Sequence, residues 1–457
     1  MQLYESPAYD PAWPDSHWAA TSPAPPPCPP LTGAARSEVA VIGAGYAGLS
    51  AARALAQAGV GVTVLEAVQP GWGASGRNGG FCCMGGSKLD DAALVRRFGP
   101  EAARRFHRFQ QEAVSHVATL LQEEEIDADR GPDGEMLLAH RPAAWAALQR
   151  QARERAQLHG ERLVLLSPAE LAARGIAGAG FHGGLFNPVG FPLHPLKYLR
   201  GLARAAQRAG ATICGDSPVS SLRPSGGGWQ LTTPQGSLQA GRVLIATNGY
   251  GADDLPPWLA ARRLPVLSAV FTTRPLSEAE RAAQGWTSET MSFDSRALLH
   301  YFRLLPDGRF LFGMRGGTSA RPAALAALHA EARRHFAALF PAWADVAVER
   351  HWSGLACLTG SLAPFAGPVP GAPGLFAALG WHGNGVSTAS LAGARIAQEI
   401  LGQTPDLPGI MRHPPRRFPL PFLRRPLLAL GYRVLALKDG PLPRPGQAAC
   451  HPAPGRG

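Results

Sequence analysis

The order of apolar and polar positions along the chain divides it into elements of two kinds. Short unbroken apolar runs at 39–42, 60–65, 242–249 and 374–380 have the length and content of buried parallel strands, and each closes on a small or polar turn. Apolar residues at helical spacing mark 47–58, 91–125, 142–159, 196–209, 322–339 and 386–401. Alternating stretches at 269–273 and 300–303 predict a half-buried antiparallel sheet, with a hairpin turn at Pro306-Asp307-Gly308. Residues 133–139 start from a turn and read as a strand, and another strand reaches Val219 before the glycine turn at 226–228. Residues 175–190 read as loop. Buried-strand pieces thus occur at the start, middle and end of the chain, with sheet segments between them. Two interleaved domains follow from that order.

The first unit carries chemistry. The strand 39–42 ends at Gly43, and Gly43, Gly45 and Gly48 make G-x-G-x-x-G at the start of a helix that Gly59 closes. A second strand then runs into Glu66. In such a β-α-β unit the first glycine permits the tight turn, the second lets backbone approach a pyrophosphate, and the third lets helix pack on strand. The helix N-terminus offers free N–H groups to phosphate, and Glu66 would accept hydrogen bonds from a ribose. A lone fingerprint means little in a chain of 54 glycines. Strand, helix, second strand and acid in register make dinucleotide binding the expectation.

Composition excludes several alternatives. With 46% hydrophobic and 17% charged residues over 457 positions, the chain reads as globular, and no window has membrane-spanning length. The first 36 residues lack the pattern of a secretory signal. Six cysteines show neither disulfide nor metal spacing, which suits a cytoplasmic setting. The net charge of +11 comes almost wholly from arginine, since Lys88, Lys197 and Lys438 are the only lysines. Those arginines are dispersed, so no nucleic-acid footprint is expected. The proline-rich lead, 1–36, should form no helix, and its Trp13 and Trp18 favour an extended arm laid on the body. At the other end, 403–457 form a basic apolar tail. Pro426 could start a helix with Leu427, Leu430, Val434 and Leu437 on one stripe. Docking of that stripe on the body is the expectation, and peripheral membrane contact the alternative.

Four motifs in order carry a family resemblance: the opening β-α-β unit, Gly73-Ala-Ser-Gly-Arg-Asn-Gly-Gly80, Ala246-Thr-Asn-Gly249 and Gly380-Trp-His-Gly-Asn-Gly-Val386. Over residues 37–402 the chain resembles the FAD-dependent D-amino-acid-oxidase family, nearest to its γ-glutamylputrescine oxidoreductase and glycine/sarcosine-oxidase-like branch. The resemblance implies an α/β chain (α+β overall), a Rossmann-like FAD-binding domain interleaved with an antiparallel-sheet substrate domain. We assign 37–90, 196–255 and 345–402 to the first and 91–195 and 256–344 to the second. FAD would be held by Gly43, Gly45, Tyr46, Ala47 and Gly48, by Glu66, by the loop Ser75, Gly76, Arg77, Asn78, Gly79 and Gly80, and by Val219. Thr247, Asn248 and Gly249 would lie near the phosphates. Gly383, Asn384, Gly385 and Val386 would lie at the pyrimidine end of the flavin, where a helix N-terminus stabilises negative charge.

On the substrate side the expectations are fewer. Tyr301 and Arg303 share a strand face, and Arg303 would grip a carboxylate or else form a surface ion pair. Trp352, Trp381 and His382 form aromatic walls or fill core. His194 reads as a helix cap before Pro195. Cys357 reads as an ordinary buried cysteine rather than a flavin attachment, and Cys82-Cys83 as a packed pair. Members of the family place a lysine beside the flavin for reaction with oxygen, and the strand 310–313 has none. The function implied is oxidation of a C–N bond of an amine or amino acid by hydride transfer to the flavin, followed by imine hydrolysis, with oxygen or another acceptor taking the electrons. A flavin-dependent role on a tRNA base, or a non-catalytic binding protein on the same fold, are the alternatives.

Overall fold

The computed structural model describes residues 2–443. Its frame is a parallel sheet in the order Leu375–Leu379, Gly236–Ile245, Gly33–Ile42, Val62–Leu65, Thr212–Cys214, with Phe365–Pro368 antiparallel at one edge. The register explains the site. Ile42 pairs with Leu65 on one side and Ile245 on the other. Gly43, Glu66 and Ala246 therefore leave the sheet side by side at its carboxyl edge, where open α/β sheets bind ligands. The helices Tyr46–Gln57, Pro195–Arg208 and Gly385–Ile400 share one core with that sheet. Gly393 lets two of them touch, because a Cβ there would overlap the Ala47 carbonyl oxygen.

The second sheet runs Val348–Thr359, Arg263–Thr273, Phe310–Arg315, His300–Leu304, Met291–Asp294, Glu135–Leu138, Gly184–Asn187, Val164–Leu166. Every neighbouring pair is antiparallel except Met291–Asp294 with Glu135–Leu138. Period-two alternation sends Phe302, Phe310 and Phe312 to an outer face, where Phe336 and Leu339 of helix Pro322–Leu339 cover them. Tyr301, Gly313 and Arg315 go to the inner face, toward the first sheet.

The boundaries drawn from sequence need correction in four places. Strand Val348–Thr359 belongs to the second sheet, so the third segment of the first domain starts after it rather than at 345. The stretch 91–125 splits at Gly99, whose φ of 87° no helix continues, into Asp91–Phe98 and Pro100–Glu123. Both pieces pack into the core of the first domain through Leu94, Phe106, Val117 and Leu120. Gly184–Asn187 is a strand inside the supposed loop, and the strand expected to reach Val219 ends at Cys214. The alternation in 269–273 and 300–303 also misled about exposure, since helix and partner domain bury both faces.

The N-terminal arm does lie on the body. Its prolines did not prevent a helical turn at His17–Thr21, which contains none and is capped by the Ser16 hydroxyl. Trp18, 1% exposed, donates to the Asn78 carbonyl at 2.8 Å, and the Tyr4 hydroxyl donates to Pro265 O. The C-terminal helix Arg424–Asp439 reverses the docking expected. It is held by its polar side: Arg424 pairs with Asp253 at 2.7 Å, Arg425 with Glu5 at 2.7 Å, and Asp439 accepts from Ala297 N and Leu298 N. The apolar stripe faces solvent, because these buried polar bonds leave only the opposite face outward. The remainder of the tail, 444–457, lies outside the described residues.

Candidate active site

Between the carboxyl edge of the first sheet and the inner face of the second is a cavity of about 990 Å³. One end is walled by Gly43, Gly45, Tyr46, Ala47, Glu66, Val219, Thr247 and Asn248. Gly43 turns with φ of 105°, and Gly45 sits close enough to Ser75 that a Cβ would lie 3.0 Å from its hydroxyl. Glu66 accepts from Ala44 N at 2.6 Å and Val68 N at 3.3 Å. Burial raises its carboxyl pKa, and these two donors work against that.

The loop after Trp72 forms the next wall. Asn78 organises it, donating to Ala74 O and Ser75 O and accepting from Gly80 N at 2.9 Å. Tyr46 ties this loop to the fingerprint helix, its hydroxyl donating to Ser75 O at 2.7 Å. Arg77 lies over the Trp72 and Tyr250 rings and donates to Trp72 O at 2.7 Å.

The helix Gly385–Ile400 opens onto the cavity with no side-chain cap, so its first N–H groups face the void with their positive dipole end. Asn384 is occupied elsewhere, donating to Met84 O at 3.1 Å and Cys83 Sγ at 3.2 Å. Ser387 donates to Cys83 O at 2.6 Å. The helix start and the segment 83–85 are thus one unit.

The far wall is the inner face of the second sheet. The Tyr301 ring crosses Gly313, where a Cβ would overlap it, and its hydroxyl meets Ser268 Oγ at 3.0 Å. Arg315, two residues on along the same face, also lines the cavity. Its guanidinium rests near the Gly383 turn, and no acidic side chain pairs with it among the described residues. Burial lowers its pKa. Lys88 lines the cavity with an exposed side chain, and desolvation by the surrounding protein together with the Arg315 charge pulls its ammonium down to about 7. Glu135, further along the same sheet, accepts from Asn187 at 3.1 Å, and burial pushes its carboxyl up to about 7.

Several expected site residues stand elsewhere. Arg303, 2% exposed, does not line the cavity. It lies beneath the Gly79–Gly80 turn, donating to Gly79 O at 3.1 Å and Leu193 O at 2.6 Å, so it is a brace and not a carboxylate grip. His382 is buried behind the wall, donating through Nδ1 to Gly86 O and accepting from Thr359 N at Nε2. Trp381 does line the cavity, while Trp352 donates to Arg77 O behind it. Gly48, Gly76, Gly80 and Gly249 shape the walls without lining them; a Cβ on Gly48 or Gly76 would overlap a carbonyl of Gly43 or Gly71. His194 caps its helix, accepting from Lys197 N. Cys82, Cys83 and Cys357 are free, and burial pushes the Cys357 thiol up to about 11. Arg315, Glu135 and Lys88 were missed. Period-two counting from Tyr301 and Gly313 reaches Arg315, and the rarity of lysine singles out Lys88; Glu135 offered no signal.

Comparison with known proteins decides the family. Residues 38–399 match the model of FAD dependent oxidoreductases. The chain belongs to the FAD-dependent oxidoreductase family. A probable oxidoreductase, OrdL, of Rhizobium meliloti (strain 1021) is 32% identical over 398 residues, 86% of this chain and 89% of the relative. The gamma-glutamylputrescine oxidoreductase of Escherichia coli (strain K12) is 30% identical over 411 residues, 88% and 92% of the two chains. The fold is that of glycine oxidase from Geobacillus kaustophilus, with TM-score 0.66, 21% identity, and coverage of 81% and 95%. FAD is therefore the cofactor of this oxidoreductase, and the site fits it. The cavity reaches from an acid beside a glycine turn to an uncapped helix N-terminus.

Proposed function

We propose that this oxidoreductase oxidises the C–N bond of an amine or amino acid, and that its substrates carry a carboxylate. The observation that supports the reading is Arg315: a half-buried guanidinium with no acidic partner among the described residues, on the cavity wall beside Tyr301. A planar guanidinium takes a carboxylate at two points, and a low-dielectric site strengthens the pair. Bound FAD supplies the hydride acceptor and the protein supplies position and electrostatics. Gly43, Gly45, Glu66, Val219 and Thr247 would hold its nucleotide half. The uncapped start of helix Gly385–Ile400 would stabilise negative charge at the flavin's pyrimidine edge.

Arg315 would orient the substrate carboxylate, and Tyr301, fixed by Ser268, would close the pocket over it. The Trp381 and Phe81 rings would exclude water from the reacting carbon. Lys88 and Glu135, each with a pKa moved to about 7, are cavity groups able to take a proton from a substrate ammonium. The electron acceptor would be oxygen or another oxidant, and the free buried thiols suit a cytoplasmic setting. An anaerobic screen of amines and amino acids for bleaching of the bound flavin tests the reading. Bleaching by carboxylated amines supports it; bleaching only by amines lacking a carboxylate overturns the role of Arg315.

A further inference from the structure

Eight large apolar side chains are exposed among the described residues, and six of them belong to one short segment: Leu420, Phe422, Leu427, Leu430, Val434 and Leu437. Phe422 is 76% exposed and Leu437 83%. A single exposed leucine needs no explanation, but a contiguous stripe of this kind marks an interaction surface. In helix Arg424–Asp439 the spacing 427, 430, 434, 437 keeps four of them on one face. The opposite face carries Arg424, Arg425 and Asp439, whose ion pairs and backbone bonds fix the helix to the body. The outward direction of the stripe is therefore set by buried polar bonds.

Charge identifies the occupant. At 100° per residue Arg433 and Lys438 fall on the two sides of the stripe, and both are exposed. Arg416 and Arg417 are exposed just before it. A basic rim around an apolar ridge complements anionic headgroups above acyl chains. A second copy of the chain is a poor occupant. The 16-residue helix is about 24 Å long, so two stripes face to face would bury on the order of 500 Å², well under the roughly 1,200 Å² of stable pairs. Such a pair would also bring like charges together.

We propose that the segment 416–438 is an interfacial anchor that seats this oxidoreductase on anionic bilayers. The helix lies in the headgroup plane with Phe422, Leu427, Leu430, Val434 and Leu437 among the upper acyl chains, while Arg433 and Lys438 meet the phosphates. No helix of the described residues is long and apolar enough to span the bilayer, so the contact is peripheral and reversible.

Sedimentation of the FAD-loaded full chain with vesicles tests this. Wild type should bind phosphatidylcholine vesicles containing phosphatidylglycerol, more weakly at high salt, and should not bind phosphatidylcholine alone. Leu430→Glu with Leu437→Glu should abolish binding, and Arg433→Glu with Lys438→Glu should weaken it roughly tenfold or more. These side chains are exposed, so flavin content and amine turnover in solution should be unchanged in both variants. Failure of wild type to bind anionic vesicles at low salt overturns the proposal. So does equal binding by the leucine variant, or a wild-type dimer in analytical ultracentrifugation that the leucine variant lacks and that binds no vesicles.

Discussion

Arg303 and Arg315 stand on neighbouring strands and the same sheet face, yet their surroundings predict opposite phenotypes. In Arg315→Met the cavity loses a guanidinium that has no acidic partner among the described residues. A hydrogen bond to a charged group is worth about 1.5–3 kcal/mol, so kcat/KM for carboxylated amines should fall roughly 10- to 150-fold. Amines without a carboxylate should be affected little, and flavin content should hold. In Arg303→Met the loss is structural: Gly79 O and Leu193 O each lose a buried donor. Each orphaned carbonyl costs about 1–3 kcal/mol, offset in part because a buried cation also disappears, for a net loss of about 3 kcal/mol. At ~2.1 cal/mol/K per residue, a chain of 457 residues converts that into a melting shift of only ~3 °C.

The local effect should be larger than the global one. The Gly79–Gly80 turn belongs to the loop proposed to hold the flavin, so FAD should leave Arg303→Met at a lower temperature than it leaves wild type. The assay is flavin fluorescence on heating, alongside kinetics on paired substrates with and without a carboxylate. A tenfold selective loss on the carboxylated substrate in Arg303→Met, with the flavin-release temperature unchanged, would refute this assignment and return Arg303 to the substrate site.

Three further outcomes are expected. Glu66→Ala removes a buried acceptor at the nucleotide end and should raise the FAD dissociation constant roughly tenfold or more, read by fluorescence titration; an unchanged constant removes Glu66 from the site. Gly313→Ala places a methyl where the Tyr301 ring lies, so kcat should drop while flavin content stays near one per chain; normal kcat would mean that the Tyr301–Ser268 contact is idle. Glu135 has a folded pKa of about 7 against 4.5 when unfolded, so the folded state holds its proton more tightly. The resulting stability is complete below pH 4.5 and is lost as pH rises to 7, roughly 3 kcal/mol in all. Glu135→Gln should flatten that slope in urea midpoints measured at pH 5 and pH 8, and an unaltered slope would place the titration elsewhere.

The cavity end proposed for the nucleotide was legible as a cluster because each of its demands is local. Gly43, Gly45 and Glu66 sit in one β-α-β unit whose register follows from strand length, and the structure puts all three on the cavity. The substrate end was less legible because its wall is assembled from strands far apart in sequence. Tyr301 reaches Ser268 across Gly313, three strands whose order no periodicity reveals. Arg303 and Arg315 look alike in sequence, and only the position of the Gly79–Gly80 turn separates brace from candidate ligand. The C-terminal stripe was found correctly and turned the wrong way. Helical spacing identifies an apolar face, but Asp253, Glu5 and the 297–298 amides decided which face the body takes, and none of them is near in sequence.

The arm that carries Trp18 gives the protein an order of assembly. Trp18 backs the flavin loop from the first tenth of the chain, but Glu5, which pins the arm's beginning, bonds to Arg425, 420 residues later, and to Ala320 N. During synthesis both Trp18 and the Gly-rich loop are made early and wait. The pin can be set only once the ribosome has released the C-terminal helix. A nascent chain therefore holds Gly43, Glu66 and Thr247 long before the arm can be pinned, because the partner of Glu5 lies some 420 residues further along.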